Sequence, residues 1–282
     1  RVRVAQPDPR EAWFLKPLGG LGQTQFVAAD VTKPDTVARA VEGAQHVVNL
    51  AGSFSGDLKR IHVDGARAVA EAARASGVES LVHFSAIGAD VDSPSRYAST
   101  KGEAETAVRT AFPDATILRP ATVFGREDRF INRFAGMIAI SPVVPVLRAQ
   151  TRFQPVFVGD VAAATVAALA APDRFGGHVY ELGGPDVLTL LELHRWIARA
   201  IGRDPALPAL PDIAGQVIAA FGFLPGAPIT ADQWKLLQRD TVVAPGAAGL
   251  AALGVTPTPL AAVAPGWLVR YRRAGRFAVT AK

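Results

Sequence analysis

The chain has 282 residues, of which 49% are hydrophobic and 20% charged, enough for one large domain or a domain with an additional lobe. It has no cysteine, which excludes disulfides and thiolate metal sites, and its five histidines lack metal-ligand spacing. The net charge of +5 is mild. No apolar run reaches the roughly 18 residues of a membrane span, and we expect neither a metal site nor nucleic-acid binding.

The first part of the chain alternates short apolar runs with amphipathic segments. Strands are predicted at 1–5, 25–28, 46–49, 80–84 and 116–119, and helices at 35–41, at 58–75 and from Tyr97 onward. Strands that alternate with helices predict a parallel sheet covered on both faces. We therefore expect an α/β protein with a Rossmann-type, doubly wound parallel sheet, whose ligands lie beyond the carboxyl ends of the strands.

After Arg119 the pattern becomes more helical. Helices are predicted at 130–140, 161–171, 189–201, 213–223 and 232–237, and strands at 154–158 and 179–182. Asp160 is the predicted N-cap of the helix at 161–171. We expect residues 1–125, with a return at 154–171, to form the Rossmann domain. Residues 126–282 are expected to form a smaller, mostly helical lobe with a basic C-terminal tail.

A serine, a tyrosine and a lysine carry the strongest chemical signal. Ser85 ends the apolar run 81–84, and Tyr97 and Lys101 are four residues apart in a helical segment, so they share one helix face. The Lys101 ammonium is expected to lower the pKa of the Tyr97 phenol. The Ser85 hydroxyl is suited to orient a substrate carbonyl. Taken alone, a tyrosine and a lysine one helical turn apart are more often part of a solvated face.

The motifs together resemble a known superfamily. Asp30-Val31, Asn49-Leu-Ala-Gly52, Ser85, Tyr97-x-x-x-Lys101 and Arg119-Pro120 are similar, in this order, to the extended and atypical short-chain dehydrogenases/reductases. The resemblance implies that the nucleotide contacts the following residues: Asp30 and Val31 at the adenine, Asn49, Leu50, Ala51 and Gly52 at the ribose and pyrophosphate, Ser85, Tyr97 and Lys101 at the reacting end, and Pro120, Ala121, Thr122 and Val123 at the nicotinamide. The alternative is structural: a turn at Asp30, a tight turn at 49–52 and a strand end at Pro120.

A narrower resemblance concerns Pro17–Gln23, Val47–Leu50, Ala111–Asp114 and Phe124–Phe134. These stretches are similar to the nucleotide-binding accessory subunits of respiratory complex I, NADH:ubiquinone oxidoreductase. The resemblance implies NADP(H) held without turnover, other subunits of complex I as partners, and a position near the membrane and the quinone site. The resemblance further implies a location on the cytoplasmic face of a bacterial inner membrane, with the matrix side of the mitochondrial inner membrane as the alternative. A free-standing NAD(P)-dependent reductase or epimerase and an NADP(H)-sensing regulator are the alternatives.

Three features depart from the family pattern. The glycine-rich loop that follows the first strand in the family is absent, so we expect roughly 20–30 further N-terminal residues that carry the first strand, this loop and a helix. Gln6 and Pro7 stand where NADP-binding relatives place an arginine, which leaves Arg3 or Arg10 as a substitute and NAD(H) as an alternative cofactor. His62 replaces the asparagine of the proton relay, and it either conducts protons or marks a decayed relay.

The C-terminal segment is basic, since Thr241–Lys282 contains no acidic residue. It carries Arg270, Arg272, Arg273, Arg276 and Lys282, interleaved with Trp267, Tyr271 and Phe277. Such a segment is expected to contact anionic lipid or an acidic partner, or else to be a solvated tail. Apolar residues also recur at helical spacing at Ile213, Val217, Phe221 and Leu224. This stripe either lies in the core or belongs to a docking surface built from the lobe and the tail.

Overall fold

The structure, a computed structural model, describes residues 1–224, 229–273 and 275–277. Its strands are β1 Val2–Gln6, β2 Thr24–Ala28, β3 His46–Asn49, β4 Ser80–Phe84, β5 Thr116–Pro120, β6 Val123–Phe124, β7 Val146–Leu147, β8 Arg152–Phe153, β9 Val156–Phe157, β10 Val179–Leu182, β11 Leu188–Thr189 and β12 Ala209–Leu210. Its α-helices are α1 Pro34–Val41, α2 Gly65–Ala75, α3 Arg96–Ala111, α4 Ile131–Ile140, α5 Val158–Ala170, α6 Pro172–Phe175, α7 Leu190–Ala200, α8 Asp212–Ala220, α9 Ala231–Leu237, α10 Leu260–Val263 and α11 Pro265–Leu268. The predicted α/β, Rossmann-type fold is confirmed.

The largest sheet has four strands in the order β10-β5-β4-β3, and β3, β4 and β5 are parallel. Strand β4 is central, and its residues from Ser80 to His83 are all buried. A strand with both faces covered is expected to be mostly apolar, as the run Leu81-Val82 is. Strands β1 and β2 form a separate parallel pair, in which Gln6 lies opposite Ala28.

The chain divides into two compact units. Unit 1 comprises residues 1–85, 89–118 and 168–179, and unit 2 comprises 86–88, 119–167 and 180–282. Unit 1 packs around Val37, Val69, Leu81, Val108 and Ile117, and unit 2 packs around Phe124, Ile138, Leu193, Ile197 and Leu268. The boundaries that the sequence predicts, 1–125 with 154–171 and 126–282, stay a prediction.

One local prediction is confirmed and one differs from the structure. The chain is helical throughout the predicted range 58–75, with a π-helical turn at Arg60–Asp64 before α2. Asp160 is not the N-cap of its helix, because α5 already begins at Val158. The Asp160 carboxylate instead accepts hydrogen bonds from Thr258, at 2.6 Å from the backbone nitrogen and 2.8 Å from the hydroxyl. A long-range contact that the sequence does not encode locally thus engages this side chain.

The basic segment is partly built into unit 2. Arg270 donates to the carbonyl oxygen of Arg126 at 3.0 Å, and Arg272 donates to that of Ala200 at 3.1 Å. Trp267 and Tyr271 pack against the unit 2 core. The segment up to Arg272 is therefore not a free tail, whereas Lys282 and the side chain of Arg276 lie outside the described residues. In the described ranges, no helix is long and apolar enough to cross a membrane.

Candidate functional site

The end of β4 and one face of α3 bring three polar side chains together in unit 1. Ser85 follows β4 directly, and Lys101 and Glu105 lie one turn apart on α3. The Lys101 Nζ donates to the Phe84 carbonyl oxygen at 2.9 Å, and the Ser85 hydroxyl donates to the Glu105 Oε1 at 2.5 Å. All three side chains are buried. The structure thus brings together the predicted residues Ser85 and Lys101, and it adds Glu105.

Glu105 was not predicted as a site residue, although a signal for it is present. It follows Tyr97 and Lys101 at the same four-residue interval, and therefore lies on the same face of α3. A serine hydroxyl has a single proton to donate, and Glu105 accepts it here. In this arrangement the Ser85 hydroxyl is engaged with a carboxylate, so it is not poised to donate to a substrate carbonyl.

Two opposing effects set the pKa of Lys101. Burial lowers the pKa of Lys101 to about 8, because a low-dielectric environment disfavours the ammonium, while the nearby Glu105 carboxylate acts in the opposite direction. Lys101 is therefore mostly protonated at neutral pH and loses its proton near pH 8. An anionic ligand beside it would stabilise the charged form.

Tyr97 lies in an aromatic setting. Its ring stacks on Phe54, with ring centroids 4.4 Å apart and planes inclined by 11°, and meets the edge of His62 at 5.5 Å. Burial raises the pKa of Tyr97 to about 12. The expectation that this pKa is lowered is therefore wrong, because burial disfavours the charged phenolate. At neutral pH Tyr97 is a protonated, weak acid.

His62 connects the turn after β3 to α3. Its Nε2 accepts from the Ser53 backbone N–H at 3.0 Å, and its Nδ1 lies 2.9 Å from the Thr100 hydroxyl. Because Nε2 accepts, this network assigns the ring proton to Nδ1, which donates to Thr100. Burial is the main reason that the pKa of His62 falls to about 4. A neutral ring with both nitrogens engaged fits a positioning role better than proton conduction.

Asn49 and His83 lie opposite each other on β3 and β4. The Asn49 amide nitrogen is 3.2 Å from His83 Nδ1, and its oxygen accepts from the Ala51 backbone N–H at 3.1 Å, which fixes the turn at 49–52. Burial, with the nearby charge of Lys101, lowers the pKa of His83 to about 3. A Cβ atom at Gly52 would lie 3.5 Å from Lys101 Nζ. The predicted turn and the predicted lysine are therefore neighbours.

Asp30 and Val31 follow β2, also in unit 1. The Asp30 carboxylate accepts from the backbone N–H and the hydroxyl of Thr32 at 2.9 and 2.8 Å, and these bonds hold its pKa below the usual value. Val31 borders a cavity of about 360 Å³. The other residues that line this cavity are Thr32, Pro34, Asp57, Lys59, Arg60 and Asp64.

The remaining predicted contacts belong to unit 2. Pro120 ends β5, and Val123 begins β6. Between them, the Ala121 backbone N–H donates to the Leu182 carbonyl oxygen at 2.9 Å. The Thr122 carbonyl oxygen accepts from the Val156 backbone N–H at 3.0 Å. Their backbone groups are thus used in strand pairing. Contact between these residues and a nicotinamide stays a prediction. Within the described ranges no cluster of three or more His, Asp or Glu side chains is suited to a metal ion.

Both arginines considered as phosphate ligands already have partners. Arg3 donates to the carbonyl oxygens of Ala40 and Glu42 at 2.7 and 2.8 Å. Arg10 pairs with Asp8 at 2.8 Å, just beyond the carboxyl end of β1, and both side chains are exposed. Arg10 thus forms an exposed ion pair with a side chain, whereas Arg3 binds two backbone carbonyl oxygens.

Known proteins resemble this chain in sequence and in fold. The NAD(P)H-binding family model matches residues 15–133. The mitochondrial NADH dehydrogenase [ubiquinone] 1 alpha subcomplex subunit 9 of Arabidopsis thaliana is 35% identical, over 97% of this chain and 71% of its own. The ceramide reductase of Caulobacter vibrioides (strain NA1000 / CB15N) is 34% identical, over 73% and 67%. The Citrobacter sp. triphenylmethane reductase complexed with NADP(H) has the same fold, with a TM-score of 0.73 and 19% identity over 92% of this chain and 87% of its own.

Sequence identity over most of both chains, a matching nucleotide-binding model and a shared fold lead to one assignment. The chain belongs to the extended and atypical short-chain dehydrogenase/reductase superfamily and, within it, to the family of the NADH dehydrogenase [ubiquinone] 1 alpha subcomplex subunit 9.

Proposed function

We propose that the protein is an accessory subunit of respiratory complex I that holds NADP(H) as a structural cofactor without turning it over. Its role is to stabilise the peripheral arm near the membrane and the quinone site. Relatives that are complex I subunits support the assembly, and the NAD(P)H-binding model supports the cofactor. The main support for a cofactor that is bound but not turned over is the hydrogen bond from the Ser85 hydroxyl to the Glu105 carboxylate.

The site is better equipped for binding than for catalysis. Carbonyl reduction by this residue set needs a hydroxyl that donates to the carbonyl and an acid that gives up its proton. Ser85 donates to Glu105, and Tyr97 has its pKa raised to about 12, so proton loss is unfavourable at neutral pH. A bound nicotinamide nucleotide would supply hydride chemistry, while this chain's own residues would hold and orient it.

Retention of the nucleotide is assigned to unit 1. Lys101 supplies a buried ammonium, and the neighbouring turn at 49–52 supplies backbone groups close to it. The cavity beside Val31 is the proposed adenine site. Residues 120–123 of unit 2 are proposed to contact the nicotinamide.

NADP(H) is proposed over NAD(H) because of Arg10. An exposed ion pair contributes only about 0–1 kcal/mol, so a 2′-phosphate dianion can recruit Arg10 away from Asp8 at little cost. Asp8 itself is suited to accept from a ribose 2′-hydroxyl, which keeps NAD(H) as the alternative.

The test is to identify what the protein carries. Purified protein is denatured, and the released nucleotide is identified by mass spectrometry and by absorbance. We expect one NADP(H) per chain and co-purification of the subunit with complex I. Release of NAD(H) would contradict the cofactor preference, and a monomeric protein that is absent from complex I would contradict the assembly.

A second candidate is a free-standing NAD(P)-dependent reductase or epimerase. It is favoured by the presence of Ser85, Tyr97 and Lys101 at one site and by the similarity to a ceramide reductase. The third class, an NADP(H)-sensing regulator, is distinguished by a partner whose binding depends on nucleotide occupancy.

The variant Tyr97→Phe separates the first two candidates. It removes the phenolic proton but keeps the ring that stacks on Phe54. We expect the bound nucleotide and the activity of complex I to remain within about twofold of wild type, measured as NADH:quinone turnover per nucleotide. Robust carbonyl reduction by the wild-type subunit that Tyr97→Phe abolishes would establish the reductase instead.

We also propose that the basic segment contacts anionic lipid. Arg270 and Arg272 bind their own unit, so Arg273, which is exposed, is the better probe. A basic residue near an anionic surface contributes about 1 kcal/mol, so Arg273→Ala is expected to weaken binding to phosphatidylglycerol vesicles about fivefold. Equal sedimentation of both proteins with these vesicles would exclude the contact. The proposed location is the cytoplasmic face of a bacterial inner membrane, with the matrix side of the mitochondrial one as alternative.

A further inference from the structure

Helix α8 in unit 2 presents an apolar surface to solvent. Ile213, Val217 and Phe221 recur every four residues, and they are 71%, 56% and 56% exposed. The chain continues with Phe223 and Leu224, which are 78% and 50% exposed. We call these five residues the α8 face. Single exposed apolar residues are ordinary in proteins, whereas a group of this size marks an interaction surface.

The packing of α8 keeps this surface exposed. On the opposite side, a Cβ atom at Gly215 would lie 2.2 Å from ring carbons of Trp234 in α9, and Ala219 is buried. Only a glycine permits such a close approach of helix and indole ring. Rotation of α8 to bury its apolar side would break this contact, so the α8 face is a fixed feature of unit 2.

The charges around the α8 face indicate the kind of partner. None of residues 213–231 is charged. Charged residues of both signs lie beyond the two ends of this uncharged stretch. Before it lies Asp212, which pairs with Arg148 at 2.5 Å. After it, α9 carries both Asp232 and Lys235. An apolar centre with a mixed polar rim is the composition of a protein interface. An anionic lipid surface is instead bound by lysines and arginines beside the apolar residues, and this stretch has none.

We infer that the α8 face docks this chain onto an apolar, uncharged surface of another complex I subunit. The inference rests on the proposed function, which supplies the assembly. The proposed occupant is that subunit's surface; contact with a bilayer and with a second copy of this chain are the alternative outcomes of the test.

The test compares two exposed valines on helices of unit 2. Val217 lies in the α8 face, and Val166 of α5, 64% exposed, is the matched control. Val217→Asp is expected to lower incorporation into complex I at least tenfold on native gels, because a carboxylate would be buried against an apolar partner. Val166→Asp is expected to assemble like wild type. Both isolated variants should keep the wild-type melting temperature and bound nucleotide.

Equal incorporation of Val217→Asp and wild type would overturn the inference. A second measurement does not depend on the stability of this variant: benzoylphenylalanine at position 217 is irradiated in assembled complex I. An adduct with another complex I subunit supports the inference, whereas adducts with lipid alone or with a second copy, or no adduct, overturn it. If the wild-type chain itself is absent from complex I, the proposed function fails first, and the inference fails with it.

Discussion

The folded protein is expected to lose stability steeply as the pH falls from about 6.5 to 4, because two buried histidines of unit 1 remain neutral. Burial lowers the pKa of His62 to about 4 and that of His83 to about 3. In the unfolded chain histidine binds a proton below about pH 6.5. A depressed folded pKa contributes stability above the unfolded pKa, and this contribution is lost as the pH falls through that window.

The expected loss is large. A shift of one pKa unit corresponds to about 1.4 kcal/mol, so each histidine accounts for on the order of 3 kcal/mol by pH 4. Urea unfolding followed by circular dichroism at several pH values measures it. Since carboxylates also titrate in this range, the decisive comparison is His83→Gln, whose unfolding free energy should fall less steeply than that of wild type. The same slope in both proteins would show that His83 is not held neutral.

The parts of the fold that the sequence predicts well depend on local pattern. Apolar runs such as 81–84 form strands because they are buried on both sides of a parallel sheet. Tyr97 and Lys101 share a helix face because the helical period is local geometry, and Ser85 meets that face because it ends the preceding strand. The expectation that Ser85 and Lys101 lie close together therefore follows from the helical period and from the order of this strand and this helix along the chain.

The parts that could not be predicted depend on contacts between distant segments. The hydrogen bond between Ser85 and Glu105 joins residues 20 positions apart, and its geometry depends on how α3 packs on β4. The pKa of Tyr97 rises because Phe54 and His62 help to bury the ring, and a sequence does not show the depth of burial. The exposure of the α8 face likewise depends on Trp234, which occupies the other side of that helix.

Removal of the Lys101 ammonium is expected to weaken dinucleotide binding about 10- to 150-fold. This range corresponds to the roughly 1.5–3 kcal/mol that a hydrogen bond to a charged group typically contributes. The Phe84 carbonyl holds Lys101 Nζ in place, next to the turn at 49–52, so the ammonium is positioned before any ligand arrives. Lys101→Met is the sharper variant, because it keeps an apolar stem in the buried position while it removes the ammonium and its hydrogen bond to the Phe84 carbonyl oxygen.

The control and the pH dependence distinguish a ligand contact from a structural effect. Lys16→Ala removes an exposed lysine of unit 1 that lies over Trp13, and it should bind NADP(H) like wild type. Because burial lowers the pKa of Lys101 to about 8, wild-type affinity should decline as the pH rises above about 8, while the affinity of Lys101→Met should not. Titration calorimetry of nucleotide-free protein from pH 6.5 to 9 measures both. Equal affinities for wild type and Lys101→Met at pH 7 would exclude Lys101 from the binding site, because a buried ammonium that contacts the nucleotide cannot be removed without cost.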